Sequence, residues 1–210
     1  MKRRDREMNE VTFDGLVLTT APGLVMTPRM TSERLVAESS ARIGSRAARV
    51  VDVGTGSGAI AIAIAARCPR ASVWATDIDR RAVALARANV VRHRLDDRVF
   101  VRLGDLLEPV PAPVDLIVAN LPYLAVASVA EHAELRTEPL STVFAAGDGL
   151  DPYRRLVEAA PRWLAPDGVV LLQLHRRIVV AGREQLQALG VALSAGSDEA
   201  IHGVVARFAA

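Results

Sequence analysis

Two short runs of this 210-residue chain combine residue types that could do chemistry: Asp52-Val53-Gly54-Thr55-Gly56-Ser57-Gly58 and Ala119-Asn120-Leu121-Pro122-Tyr123. The first sets three alternate glycines behind an acid. Glycine carries no Cβ and turns without steric penalty, so such a loop lets the main chain approach a nucleotide-like ligand closely. The second offers a side-chain amide, a carbonyl that proline leaves in a fixed kink, and an aromatic ring. A planar nitrogen is a poor nucleophile because its lone pair is delocalised. The Asn120 side-chain oxygen and the Leu121 carbonyl could each accept one N–H and turn that lone pair outward. Fixed acceptor dipoles would then stabilise the positive charge that develops on the nitrogen, and Tyr123 would stack on the flat group.

Read together, the two runs point to methyl transfer from S-adenosylmethionine to a planar nitrogen. The glycine spacing is Gly-x-Gly-x-Gly, and Ala59 stands where the last glycine of a dinucleotide fingerprint would fall, which argues against NAD. Asp52 suits a cationic ammonium better than a pyrophosphate. Asp77 closes the next apolar segment, where its carboxylate can accept from both ribose hydroxyls. Asp105, in Leu103-Gly104-Asp105-Leu106, could accept from an adenine amino group while Leu106 lies against the ring. A single Asp at a strand end is usually a cap or turn residue; four features in this order are less readily so explained.

Elements with a definite order must position these residues. Val11–Leu18 and Leu24–Met26 flank the turn signal Ala21-Pro22-Gly23 and suggest a hairpin. Thr31 or Ser32 can cap a helix to about Ala41, with Leu35 and Val36 inward. Strands are expected at Arg49–Val53, Ser72–Thr76, Arg98–Leu103, Val114–Ala119 and Val169–Leu174. Helices are expected at Ala59–Arg67, at Arg80–Val91 with Val83, Leu85 and Ala86 buried, at Asp151–Leu164 closed by Ala165-Pro166-Asp167-Gly168, and at Ile178–Leu189. Two last strands fall near Val191–Ser194 and Gly203–Phe208. Strand–helix alternation of this kind implies a parallel, doubly wound sheet whose ligands bind beyond the strands' carboxyl ends.

Composition narrows the classes. Half the residues are apolar and 4% aromatic, which suits an aliphatic sheet covered by helices and one full core. The formal charge is +2 and Lys2 is the only lysine, too small a charge to argue for nucleic acid by itself. Cys68 is the only cysteine, so no internal disulfide can form. The opening Met1–Glu7 is charged but no apolar h-region follows it, so a secretory signal is not expected, and the longest apolar run, Ala59–Ala66, is far short of a bilayer span; a cytoplasmic location is expected. His93, His132, His175 and His202 lack metal-ligand spacing, so no metal is expected. The arginines from Arg87 to Arg102 read as a solvated face, and Arg29 as a lesser candidate for substrate or cofactor contact.

The motifs resemble those of the HemK-type protein-(glutamine-N5) methyltransferases, which modify the Gly-Gly-Gln glutamine of peptide-chain release factors. The resemblance runs from about Phe13 to Leu174. Pro22–Arg29 with Glu33–Val36 is similar to that family's opening segment, Asp52–Ala66 to its cofactor loop and helix, and Ala75–Asp79, Ile78 included, to its ribose-binding strand end. Glu138-Pro139 and Gly147–Leu156 match a stretch not general to methyltransferases. Leu121 replaces the family's first proline in Asn-Pro-Pro-Tyr, and Asn120-Leu121-Pro122-Tyr123 also resembles the tetrapeptide of rRNA adenine-N6 dimethyltransferases. Met30 and Thr31 stand for a proline and an acid, and Gln173-Leu174-His175 for Glu-x-Gly.

The resemblance implies a class I S-adenosylmethionine-dependent methyltransferase with a Rossmann-like, doubly wound, seven-stranded and mostly parallel sheet whose last strand inserts antiparallel. Residues 1–40 are expected to form an arm, hairpin and helix covering the cofactor site, and residues 41–210 the catalytic domain. Asn120, Leu121, Pro122 and Tyr123 would hold the substrate amide. Asp52, Gly54, Thr55, Gly56, Ser57, Gly58, Asp77, Ile78, Asp105, Leu106 and Asn120 would hold the cofactor. The likeness is to the short form that lacks an N-terminal helical domain and works with a small zinc-binding activator protein. A release factor is the expected partner; adenine N6 in RNA or DNA, a small molecule, or a non-catalytic cofactor-binding subunit are the rival readings.

Overall fold

The structure, a computed structural model, describes residues 8–122, 124–125, 144–145, 148–175, 183–188, 190, 192–193 and 200–205. A hairpin of β1 (Asn9–Phe13) and β2 (Leu16–Thr20) precedes α1 (Glu33–Ile43). Then come β3 (Arg49–Val53), α2 (Ala59–Arg67), β4 (Ser72–Asp77), α3 (Arg80–Arg92), β5 (Val99–Leu103) and β6 (Val114–Ala119). The short β7 (Leu124–Ala125) and β8 (Phe144–Ala145) pair with each other. The described chain ends with α4 (Asp151–Ala159), β9 (Leu164–His175), α5 (Arg183–Ala188), β10 (Ala192–Leu193) and β11 (Ala200–Val205).

Among the described residues the main sheet has seven strands in the order β5-β4-β3-β6-β9-β11-β10. The run from β5 to β9 is parallel, and β11 is antiparallel to both neighbours. Strand order reverses between β3 and β6, so the loops after these two strands open at one crevice, where doubly wound sheets bind ligands.

Both faces of the sheet are covered, as parallel strands require. Alternate residues serve opposite layers: Val50, Leu116, Val118 and Leu171 join α1, α2, α3 and the hairpin, with Phe13, Leu18 and Leu35 fully buried among them. Val51, Val53, Ile117, Ala119, Val170 and Leu172 face α4 and its Tyr153, Leu156 and Val157. The arm and the sheet therefore share one core.

Three expectations are corrected. The hairpin turns at Asp14-Gly15, with φ of 52° and 76°, the Asp-Gly pair of a tight primed turn, and Leu24–Met26 is not a strand. Pro22-Gly23 makes a turn of its own, closed by Leu24 and Val25 amides on the Ala21 carbonyl at 3.0 Å. The helix from Asp151 stops at Ala159, a 3-10 turn follows at Ala160–Arg162, and Leu164 is already in β9. Ala165-Pro166-Asp167-Gly168 lies inside β9 as an irregularity, since Leu164 pairs with Val114 while Val169 pairs with Leu116. The last strand begins at Ala200 rather than Gly203. The first seven residues and the starts and ends of several expected late elements lie outside the described residues.

Candidate active site

The glycine loop is held from behind. Gly54 and Thr55 amides both donate to the Thr76 carbonyl at 2.9 Å, tying the loop to the end of β4. Asp52, 1% exposed, accepts from the Thr55 hydroxyl at 2.6 Å and the Ala61 amide at 3.2 Å. Its Oδ1 is buried without a hydrogen-bond partner among the described residues. Burial pushes the Asp52 carboxyl up to about 7, against the pull of the Thr55 and Ala61 hydrogen bonds and with the nearby Asp77 charge adding to the rise. Asn89, fully buried in α3, donates to the carbonyls of Thr19 and Ser57 and accepts from the Thr19 amide, each at 2.9 Å. One amide side chain thus joins the hairpin, the loop and α3. A Cβ at Gly58 would come within 3.2 Å of Ala86, so that glycine serves helix packing.

The cleft in front of the loop encloses ≈ 710 Å³, counting its open mouth. Gly54, Gly56, Asp77, Ile78, Asp105, Leu106, Asn120, Leu121 and Pro122 all line it. The structure therefore brings most of the expected site residues to one place. Asp52, Thr55, Ser57 and Gly58 stand behind the wall instead, because their side chains or packing hold the loop from the core side. Arg29 is not on the wall. Tyr123 lies outside the described residues.

On the β4 side, Asp77 takes the Gly56 amide on Oδ2 and the Asp79 amide on Oδ1, both at 2.9 Å. Burial raises its pKa, opposed by those two amides. Each oxygen keeps a second lone pair for a ligand. Ile78 is 74% exposed at the cleft, an apolar side chain that no described residue covers. Leu106 adopts φ of 46°, and its carbonyl accepts from the Thr76 hydroxyl at 2.8 Å. A leucine in the left-handed region is strained, and such strain gathers at ligand sites. Asp105 carries an ion pair to Arg155 of α4 on Oδ2, which leaves Oδ1 toward other partners.

On the β6 side, Asn120 Nδ2 donates to the Ser32 hydroxyl at 3.0 Å. Ser32 precedes α1 but makes no side-chain cap; its hydroxyl is spent on Asn120. This fixes the amide and leaves Asn120 Oδ1 to accept. Leu121 is clamped by Tyr153, whose hydroxyl lies 3.1 Å from the Leu121 amide, 2.8 Å from the Leu121 carbonyl and 2.8 Å from the Gln173 carbonyl. The hydroxyl has one proton for two carbonyls, so it can satisfy either. Leu121 also packs on the loop: a Cβ at Gly54, whose φ is +72°, would come within 2.7 Å of Leu121 Cδ2.

Sequence reasoning missed Ser32, Asn89, Tyr153 and Gln173 as members of this site. Asn89 carried a signal, a polar residue on the apolar face of α3 beside Ala86 and Val90. Leu24, Val25 and Met26 line the cleft from the arm; they lie in the Pro22–Arg29 segment, whose family likeness gave them no individual role.

The family model described as "Methyltransferase small domain" matches residues 30–136. Among curated proteins, the chain is 42% identical over 154 residues to the release factor glutamine methyltransferase of Gloeobacter violaceus, covering 71% of this chain and 54% of that protein. It is 38% identical over 185 residues to the release factor glutamine methyltransferase of Deinococcus radiodurans, 86% and 65% respectively. It is 42% identical over 132 residues to the ribosomal protein uL3 glutamine methyltransferase of Bordetella pertussis, 61% and 44%. The chain thus spans between 44% and 65% of the length of these relatives. Among solved structures, the ribosomal protein L11 methylase of Lactobacillus delbrueckii superposes with a TM-score of 0.62 at 21% identity, covering 89% of this chain and 83% of that one. The Thermus thermophilus 16S rRNA methyltransferase RsmC, solved with AdoMet and guanosine, gives 0.68 at 17% identity, covering 96% and 50%. At such identities these two support the fold alone. The HemK-type resemblance read from the motifs thus stands among the curated relatives, and by its family match the chain belongs to the methyltransferase small domain family.

Proposed function

We propose that this chain binds S-adenosylmethionine in the cleft and methylates the side-chain amide of a protein glutamine, with a peptide-chain release factor as the substrate. The observation that carries the reading is Asn120, turned by the Ser32 hydroxyl so that its oxygen is left to accept at the cleft wall. The glutamine methyltransferase names of the curated relatives support the acceptor class.

The residues present fit the cofactor. Gly54 and Gly56 at positive φ present bare backbone to the cleft. Asp77 keeps acceptor capacity for two ribose hydroxyls, Asp105 Oδ1 for an amino group, and Ile78 and Leu106 offer apolar surface to a flat ring. When bound, S-adenosylmethionine supplies an electrophilic methyl group on a sulfonium. Asn120 Oδ1 accepts one N–H of the substrate amide, and the Leu121 carbonyl accepts the other when the Tyr153 proton turns to the Gln173 carbonyl. Asn120 Oδ1 is set before the substrate arrives, so it stabilises developing positive charge without reorganising, and the Leu121 carbonyl needs only the turn of one hydroxyl proton. Holding the nitrogen in line supplies the remaining rate gain. No general base is needed, because the methylated amide sheds its proton readily to solvent. In this reading residues 1–40 cover the cofactor site through Leu24, Val25 and Met26, and a release-factor substrate places the protein in the cytoplasm. Among the described residues no helix is long and apolar enough to cross a membrane.

The test is tandem mass spectrometry of a release factor incubated with the purified protein and S-adenosylmethionine, with Asn120→Ala as control. A single added methyl on the Gly-Gly-Gln glutamine, absent from the control, is expected. An unmodified glutamine while the protein still binds S-adenosylhomocysteine would overturn the assignment and turn attention to RNA and small-molecule acceptors.

A further inference from the structure

The carboxylate at the far end of the cleft from Asn120 is held by a residue outside the cleft. Asp105 stands in the turn after β5, and the backbone of that turn is fixed at three points. The Gly104 amide donates to the Asp77 carbonyl at 3.1 Å, the Glu108 amide to the Asp105 carbonyl at 3.0 Å, and the Thr76 hydroxyl to the Leu106 carbonyl at 2.8 Å. A Cβ at Gly104 would come within 2.8 Å of Pro109, so the turn is also closely packed. What these bonds leave undecided is the rotation of the Asp105 carboxyl group, a torsion with broad preferences of its own. Arg155 of α4 decides it by pairing with Oδ2. Arg155 is not on the cleft wall, and its side chain is 52% exposed. The helix beneath it is anchored by Tyr153, Leu156 and Val157, all buried, and so gives the guanidinium a rigid base. An exposed ion pair contributes little to stability. This one joins residues 50 positions apart, and its effect is on the direction of a carboxylate that faces the ligand space.

We propose that Arg155 is a positioning residue: by occupying Asp105 Oδ2 it presents Oδ1 to the cofactor's base, so that the site selects a purine carrying an amino group at position 6. The inference rests on the proposed binding of S-adenosylmethionine and deepens it. An ionised carboxylate only accepts hydrogen bonds, and a bond from an amino group to its charged oxygen is among the stronger kinds. A site built to bond one polar group discriminates against the analogue that lacks it, provided the acceptor is already aimed. A carboxylate free to swing would spend part of that bond on being ordered and would as readily face water. Arginine suits the task, because its guanidinium keeps its charge and its planar fork is pre-organised. With Tyr153 on the Leu121 carbonyl and Arg155 on Asp105, α4 then braces both ends of the cleft.

Calorimetric titration with two ligands tests the proposal: S-adenosylhomocysteine, and its purine-riboside analogue with hydrogen in place of the 6-amino group. The proteins are wild type, Arg155→Met, Arg155→Lys and Asp105→Ala. Wild type should prefer S-adenosylhomocysteine by about tenfold or more, the scale of one hydrogen bond to a charged group. Asp105→Ala should abolish the preference. Arg155→Met should cut it to about threefold or less by weakening S-adenosylhomocysteine alone, with the analogue's affinity within about twofold of wild type. Arg155→Lys, which keeps the charge without the fork, should fall between wild type and Arg155→Met. The unfolding midpoint of Arg155→Met should hold, so the readout is base discrimination and not folding. The full wild-type preference in Arg155→Met, or an equal loss for both ligands, overturns the positioning role and leaves cofactor binding standing. Equal binding of both ligands by wild type, or a preference that survives in Asp105→Ala, removes Asp105 from the base and overturns the proposal with it. Failure of wild type to bind S-adenosylhomocysteine overturns the cofactor reading as well.

Discussion

The two halves of the cleft are built by different means. The loop side is assembled largely from nearer parts of the chain: Asp52 bonds residues 3 and 9 positions away, Asp77 reaches a loop amide 21 positions back, and Asn89 ties the loop from 32 positions on. It is mostly backbone, fixed by glycines and by amides on carboxylates. The Asn120 side is assembled from side chains brought from afar. Asn120 meets Ser32 across 88 positions, Gln173 meets Thr31 across 142, and Tyr153 clamps Leu121 across 32. A ligand common to a whole fold can be met by a local motif, whereas a particular acceptor is met by the tertiary meeting of separate elements. Leu121 joins the halves, since it leaves no room for a side chain at Gly54.

That contrast can be broken from either side. Asp77→Ala removes the acceptor for the Gly56 and Asp79 amides together with the ribose contacts. Affinity for S-adenosylhomocysteine, measured by calorimetry, is expected to fall about 30-fold or more, on the scale of ~2 kcal/mol for bonds to a charged group. Acceptor-side geometry, which shares no bond with Asp77, should be untouched, so kcat at saturating cofactor should change far less than KM for the cofactor. Unchanged affinity would remove Asp77 from the site.

Tyr153→Phe strikes the other half. It strips the hydroxyl from the Leu121 amide and from two carbonyls while the ring still fills its place among Leu150, Leu156 and Leu172. The expected outcome is a loss of about tenfold in kcat with cofactor affinity preserved, and a stability loss of roughly 1–3 kcal/mol from the buried groups left unpaired. Denaturant titration and single-turnover kinetics separate the two effects. A drop in cofactor affinity as large as the drop in kcat would show that the halves are not independent.

The pH dependence of stability sharpens the description of the loop side. Asp52 binds its proton more tightly folded than unfolded, its carboxyl raised to about 7 from 3.8 by burial. Between those values the folded protein holds more protons than the unfolded chain, so this group's contribution to stability falls as pH rises from about 4 to about 7 and levels off above. Asp77, raised also by burial, acts in the same sense. The unfolding midpoint of the free protein should decline over that window, and Asp52→Asn should flatten the decline. An unaltered slope in Asp52→Asn would mean that the buried carboxyl is not the group titrating.

Much of the fold was legible along the chain. β3, α2 and β6 fall at the expected residues, because strands buried on both faces are predominantly apolar and a helix between turns has few alternatives. The errors have physical causes. Asp14-Gly15 outcompetes Pro22-Gly23 as the hairpin turn because both its residues take positive φ without strain on the flanking pairs. Ala165–Gly168 is a turn sequence locally, yet the pairing of Leu164 with Val114 extends β9 through it. Nothing in a local window announces a partner 50 residues away.

By itself the sequence determined the doubly wound sheet, the glycine loop and the position of Asn120 at a strand end, since each follows from local periodicity and from residues whose backbone behaviour does not depend on neighbours. Only the tertiary structure decided which side chains face the cleft and which brace it. It moved Asp52 behind the loop, gave Ser32 to Asn120 instead of to its own helix, and set Tyr153 against Leu121. It also laid Gln173 beside Asn120. A hydrogen bond depends on distance and direction in space, and those are fixed by strand register and helix packing, which no spacing along the chain records.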